Sequence, residues 1–183
     1  MDYSLIEVIL GVLILSVALN LLLTFRIFTV LKGMPMPDSS QAFPEAGDKL
    51  PEFRGQTLIQ KRDVLSEQLD KQPMVIVFVA PGCPKCKSKL PEIKQMLPSM
   101  EEVGVQFWLV GMGGRWSVKR FLKGSGLTER ALIIEAEHRK KLNPSRSSPF
   151  YMFVDENFVL QASGLLGDEN WLGFVEQMQE VGA

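Results

Sequence analysis

At 183 residues, with 20 Lys and Arg against 21 Asp and Glu, the chain is too evenly charged to track a nucleic-acid backbone or to hold a membrane through a polybasic patch. Its two cysteines and one histidine are too few for a four-thiolate zinc site, and a lone C-x-x-C pair is no disulfide scaffold, so no metal or cofactor is expected. The 46% hydrophobic content is inflated by the N-terminus, behind which stand roughly 130 residues, enough for one domain with its own core.

Residues 1–32 read as a transmembrane anchor. Leu5 to Leu23 is apolar on all faces, unlike the one-sided stripe of a soluble helix, and about 20 such residues cross a bilayer. A cleaved signal would bring a basic start and a small-residue cleavage site, but Met1-Asp2-Tyr3-Ser4 has no basic side chain and no A-x-A site follows. Arg26 and Lys32 follow the span with none before it, which by the positive-inside rule directs the C-terminal domain to the cytoplasm. Cysteine usage pulls the other way, since the only thiols form a redox-like pair. Residues 33–51, with Pro35, Pro37, Pro44 and Pro51, read as extended. The linker is expected over 33–46 and the domain over 47–183.

Thr57 to Gln60 is a possible short strand, and Arg62 to Asp70 carries Val64, Leu65 and Leu69 at helical spacing. Met74 to Val79 is a continuous apolar, β-branched run suited to a strand buried on both faces. Ala80-Pro81-Gly82 breaks it. Cys83 opens the next element, and Pro84 suits a first helical turn, where a missing N–H costs little. Leu90, Ile93, Leu97 and Met100 continue that helix, with a kink expected at Pro91. Val105 to Val110 is a strand, Trp116 to Lys123 a helix with Val118, Phe121 and Leu122 on one face, Leu132 to Ile134 a short strand, and Ala136 to Leu142 a polar helix. Phe150 to Val154 and Phe158 to Ser163 make a hairpin around Asp155-Glu156-Asn157. Asp168 caps a last helix striped by Trp171, Leu172, Val175 and Met178. Alternation first and a hairpin last predict an α/β fold, a mixed central sheet with helices on both faces.

The cysteines then sit at the C-terminal end of a central strand, where open α/β sheets place their sites. Disulfide exchange needs a thiolate, and a free thiol with a pKa of about 8.5 is mostly protonated at neutral pH. A helix N-terminus offers unpaired N–H groups and the positive end of the macrodipole. C-x-x-C spacing puts Cys83 at the helix entrance, as the expected nucleophile, and Cys86 one turn inside, as the expected resolving thiol. Lys85, Lys87 and Lys89 add a screened positive charge.

Phe78-Val79-Ala80-Pro81-Gly82-Cys83-Pro84-Lys85-Cys86 resembles the active-site segment of the thioredoxin-like superfamily. Gly47-Asp48-Lys49-Leu50-Pro51-Glu52-Phe53 resembles the lead-in of its TlpA and peroxiredoxin-related branch. Ser148 to Asp155 is similar to the cis-proline strand of that fold, and Gly164 to the glycine that follows its hairpin. With the anchor included, the MauD type of methylamine-utilisation proteins is most alike. The resemblance implies a thioredoxin-like fold, a cis Pro149 packed on the cysteines, and Ser148 with its backbone open to a substrate strand. Pro84, Lys85 and Ser148 would line the substrate side, with Cys83, Cys86 and Pro149 at the reaction centre. It implies a single-pass protein of a bacterial inner membrane with its domain in the periplasm. Its partners would be a client protein bearing cysteines, such as an amine dehydrogenase subunit, and a membrane redox partner. Two departures stand out: Val77 and Lys89 occupy positions where the family often carries an acid. Glu52 and Glu92 are possible substitutes, though each also reads as a surface charge.

His138, in a polar stretch, reads as a solvated histidine, Trp108 and Trp171 as core, and Gly111 to Gly114 as a connection near the site. Thiol–disulfide exchange competes with two other functions: a non-catalytic chaperone or assembly factor on the same fold, and a thiol peroxidase, which the absence of a T-x-x-C arrangement opposes.

Overall fold

The computed structural model describes residues 3–33 and 43–182 of a chain that separates into two units, Met1–Ser39 and Ser40–Ala183. Most of the expected linker falls at 34–42, outside the described residues. The first unit is helix α1, Tyr3–Gly33, of 31 residues. Its Ile9–Arg26 window, of mean hydropathy 2.1, is unburied and long and apolar enough to cross a membrane. At 1.5 Å per residue the helix spans about 46 Å, against roughly 30 Å of hydrocarbon. Two hydroxyls inside that window bond back to their own helix, Ser16 to the Leu13 carbonyl and Thr24 to the Asn20 carbonyl. Such pairing is what an apolar surrounding demands of a polar side chain.

The second unit is built on a seven-stranded sheet. Its strands are β1 (Arg54–Thr57), β2 (Asp63–Leu65), β3 (Met74–Val79), β4 (Gln106–Gly111), β5 (Ala131–Ile134), β6 (Phe150–Val154) and β7 (Leu160–Leu165). They lie in the order β2-β1-β5-β4-β3-β6-β7. The helices are α2 (Pro84–Glu102), α3 (Arg115–Phe121), α4 (Ala136–Leu142) and α5 (Glu169–Val181). Strands β3, β4 and β5 run parallel, and β6 pairs antiparallel with β3.

Strand β3 is buried along its whole length, as its unbroken apolar run requires. Val75, Val77 and Val79 turn to one face, where Cys86, Leu90, Ile93 and Met96 of α2, Val118 of α3 and Trp171 and Met178 of α5 close a core. Met74, Ile76 and Phe78 turn to the other, against Leu50, Phe53, Leu142 and Phe150. Helices thus cover both faces, as expected. Helix α2 runs through Pro91 and Pro98 as one element. Trp171 is fully buried and Trp108 half-buried against the second core.

Three expected elements differ. The strand placed at Thr57–Gln60 lies earlier, at Arg54–Thr57, and Leu58 to Gln60 form a turn. The helix placed at Arg62–Asp70 is instead β2 followed by a 3₁₀ turn at Ser66–Gln68. Backbone pairing of β2 with β1 overrides the helical spacing of Val64, Leu65 and Leu69. The second hairpin strand begins at Leu160 rather than Phe158, because Phe158 adopts positive φ and donates back to the Asp155 carbonyl to close the turn.

Candidate active site

The parallel strands β3, β4 and β5 all end on one side of the sheet, and the two cysteines lie there, at the start of α2. Gly82 holds φ +87°, a left-handed value that favours glycine, and so turns the chain from β3 into the helix. Cys83 is the N-cap of α2, with Pro84 at the first helical positions. Its Sγ accepts the Cys86 N–H at 3.2 Å, so the sulfur fills the capping role an oxygen usually takes. Cys83 is part-exposed and Cys86 fully buried, one turn inside, and both are free thiols. Pro84 and Lys85 are exposed beside them.

The electrostatics separate the two sulfurs. Burial is the largest influence on Cys83 and opposes its anion. The Cys86 thiol and N–H, the Ser148 side chain and the Lys85 N–H together outweigh it, leaving Cys83 below the ordinary thiol range. Burial, then the hydrogen bond to Cys83, pushes Cys86 up to about 11. One thiol is thus ready to ionise and the other holds its proton.

Ser148 and Pro149 complete the centre. Phe150 pairs with Phe78, which brings Pro149 level with the end of β3. The Ser148–Pro149 peptide is cis, and the Ser148 carbonyl lies 3.7 Å from Cys83 Sγ. All six residues named from the sequence therefore meet at one end of the sheet.

Three supports were not read from the sequence. Asn143, fully buried, donates to the Ser147 carbonyl at 2.8 Å and accepts the Ser147 N–H at 3.1 Å, holding the loop that leads to Pro149. The turn-rich run Asn143-Pro144-Ser145 was its one visible signal. Tyr151, two residues past Pro149, donates to both Asp168 carboxylate oxygens at 2.9 and 3.1 Å while Asp168 caps α5 through the Trp171 N–H. Glu92 takes Lys89 on one oxygen at 2.6 Å and the Trp171 indole N–H on the other at 2.8 Å, tying α2 to α5. Glu92 is thus engaged in packing, and Glu52 is exposed. Val77, at one of the two positions where the resemblance implies an acid, is fully buried.

His138 is less solvated than expected: its Nδ1 accepts the Arg54 N–H at 3.2 Å. Gly111 to Gly114 does lie near the site, since the Met112 N–H donates to the Val79 carbonyl and a Cβ on Gly113 would sit 3.3 Å from Pro81. Arg115 fastens that loop to the Thr57 and Leu58 carbonyls, both at 2.7 Å. Among the described residues no cluster of His, Cys, Asp and Glu is arranged to hold a metal.

The chain is similar to the methylamine utilization protein MauD of Paracoccus versutus, 27% identical over 139 residues that make up 76% of this chain and 68% of that one. The thioredoxin domain of a thiol-disulfide oxidoreductase from Bacteroides vulgatus superposes with a TM-score of 0.62 at 15% identity, over 74% of this chain and 99% of that one. A thioredoxin-family thiol:disulfide interchange protein from Chlorobium tepidum does so with 0.60 at 18% identity, over 76% and 99%. Both share the thioredoxin-like fold. The AhpC/TSA family matches residues 46–169, which span the lead-in, the cysteine pair and the proline strand, and the chain belongs to that family.

Proposed function

We propose that this thiol–disulfide oxidoreductase exchanges disulfides with a protein client, Cys83 attacking and Cys86 resolving. The observation that carries the reading is the Cys83 sulfur itself: part-exposed, bonded by the Cys86 N–H at a helix start, and beside the Ser148 backbone. The Cys83 thiolate attacks one sulfur of a client disulfide. The client S–S bond breaks, a mixed disulfide forms, and the departing client thiolate takes a proton. Cys86 then gives up its proton to solvent and attacks the Cys83 sulfur. The Cys83–Cys86 disulfide closes, and the second client thiolate leaves and is protonated. Two electrons and two protons have passed to the client, and the reverse sequence oxidises it.

The Ser148 backbone and Pro149, with Pro84 and Lys85 opposite, would hold the client chain across the sulfur. Helix α1 would serve as the single-pass anchor in a bacterial inner membrane, with the domain on the periplasmic side. The likeness to a methylamine utilization protein supports a client among periplasmic enzymes matured through disulfides, such as an amine dehydrogenase.

Trapping tests this reading. In cells, Cys86→Ser cannot resolve a mixed disulfide and should accumulate client adducts through Cys83 on non-reducing gels; Cys83→Ser should give none. No adduct from Cys86→Ser, together with a functional Cys83→Ser, would replace exchange by a chaperone role. Peroxide consumption without disulfide exchange would replace it by a peroxidase. Impermeant thiol labelling of spheroplasts should reach Cys83, and labelling only after lysis would reverse the orientation.

A further inference from the structure

The three segments that end β3, end β4 and precede β6 meet beside Cys83, and they share a composition. Residues 79–91, 111–123 and 138–150 hold 11 of the chain's 20 Lys and Arg and none of its 21 Asp and Glu. Glu92 and Glu137, which border these segments in sequence, are paired with Lys89 and with Lys141 at 3.4 Å, and Asp168 is taken by Tyr151 and the α5 N-terminus. Glu135 lies 3.7 Å from His138. Exposed Glu45 and Glu169 are on the β7 side, Glu45 beside Pro44, whose carbonyl accepts from Ser163 of β7, and Glu169 at the start of α5 just past β7. The positive arc therefore covers one side of the site only.

Within the arc, Trp116 is 73% exposed, an indole set in water at the start of α3, three residues past the glycine that packs on Pro81. Arg120 stacks over its ring at 5.4 Å, presenting a cation and an apolar plate together. Beyond Met112 a cleft of about 280 Å³ opens, lined by Arg139, Lys140, Asn143 and Arg146. Lys85 on the first turn of α2 and Lys119 on α3 are exposed on the same arc.

We infer that this rim, from Trp116 and Arg120 to Lys140 and Arg146, selects client segments in which acidic residues flank the reacting cysteine. The inference rests on the exchange chemistry proposed above and names the substrate class for it. The charge flanks on one side a sulfur whose only partner in the reaction is another sulfur, which favours a polypeptide over a lipid headgroup. Complementary charge at a reaction rim acts mainly on encounter rate and on rejection of the wrong partner.

The test uses the reduced full chain in detergent and two synthetic peptides of equal length. Each carries one cysteine as its 2-thiopyridyl disulfide, flanked by Asp and Glu in one peptide and by Lys in the other. Cys83 thiolate attacks the peptide sulfur, the S–S bond breaks, and the thiopyridine leaves with the electron pair and a proton. Cys86 then closes on Cys83 and frees the peptide thiol. The acidic peptide should react roughly tenfold or more faster at low ionic strength, and the ratio should fall toward unity near 1 M salt. Lys119→Glu with Arg120→Glu should cut that ratio severalfold. Equal rates for the two peptides at low salt would overturn the rim while leaving the exchange chemistry standing. No reaction with either peptide or with neutral 4,4′-dithiodipyridine would overturn both. A preference that survives in phosphatidylcholine nanodiscs but vanishes in phosphatidylglycerol ones would give the rim to lipid headgroups and overturn the client assignment.

Discussion

Asp168→Ala should cost about 2–4 kcal/mol, more than an ordinary part-exposed aspartate, because two dependents lose the same carboxylate. The N-terminus of α5 loses its cap, worth about 1 kcal/mol. The Tyr151 hydroxyl, on a fully buried side chain, loses both of its Asp168 bonds, and a stranded buried donor costs about 1–3 kcal/mol. Tyr151→Phe removes donor and demand together and should cost about 1 kcal/mol. In the Phe background, Asp168→Ala should then cost only the cap. The double-mutant cycle is thus expected to show about 1–3 kcal/mol of coupling, well above the roughly 0.3–0.5 kcal/mol scatter of independent sites. Denaturant melts of the full chain in detergent, followed by Trp fluorescence, measure it. Costs that simply add would refute the reasoning and reduce Asp168 to a cap.

Gly164→Ala should destabilise by about 1–3 kcal/mol, because its Cβ would land on Asp168 Oδ2 and lie 3.3 Å from Tyr151 Oη; the loss should shrink in an Asp168→Ala background. Trp171→Phe keeps most of the apolar volume but strips the indole N–H from Glu92, and melts should show about 1–3 kcal/mol of lost stability, partly restored by Glu92→Gln. Arg115→Met should cost a similar amount, since two buried-side carbonyl bonds at 2.7 Å go unmade, and amide exchange should quicken across residues 111–114.

The parts of this fold that announce themselves in the sequence are those whose partners are near or whose surroundings are uniform. Met74 to Val79 reads as a central strand because both of its faces are buried, and Asp168 reads as a cap because its task lies three residues ahead. The C-x-x-C pair is legible for the same reason: strand, turn and helix entrance are contiguous. Strand β1 is not, because Arg54-Gly55-Gln56-Thr57 has no apolar pattern and is held by backbone pairing to β5, about 80 residues away. Its small residue has a purpose only in three dimensions, since a Cβ on Gly55 would sit 2.9 Å from the Ile133 carbonyl. The same holds for Glu92 and Trp171, which meet across 79 residues. Val64, Leu65 and Leu69 mislead because a strand followed by a 3₁₀ turn can repeat helical spacing over one turn.

The proposed division of labour between the sulfurs is open to direct titration. Iodoacetamide reacts with the thiolate, so a lowered pKa moves the rising limb of its rate to lower pH. In the reduced full chain, peptide mapping should find Cys83 modified first, with its midpoint below the free-thiol value of about 8.5. Cys86 should resist until the pH nears about 11. Cys86 alkylated as readily as Cys83, or a Cys83 limb that rises only at or above the free-thiol value, would contradict the assignment of attacker and resolver.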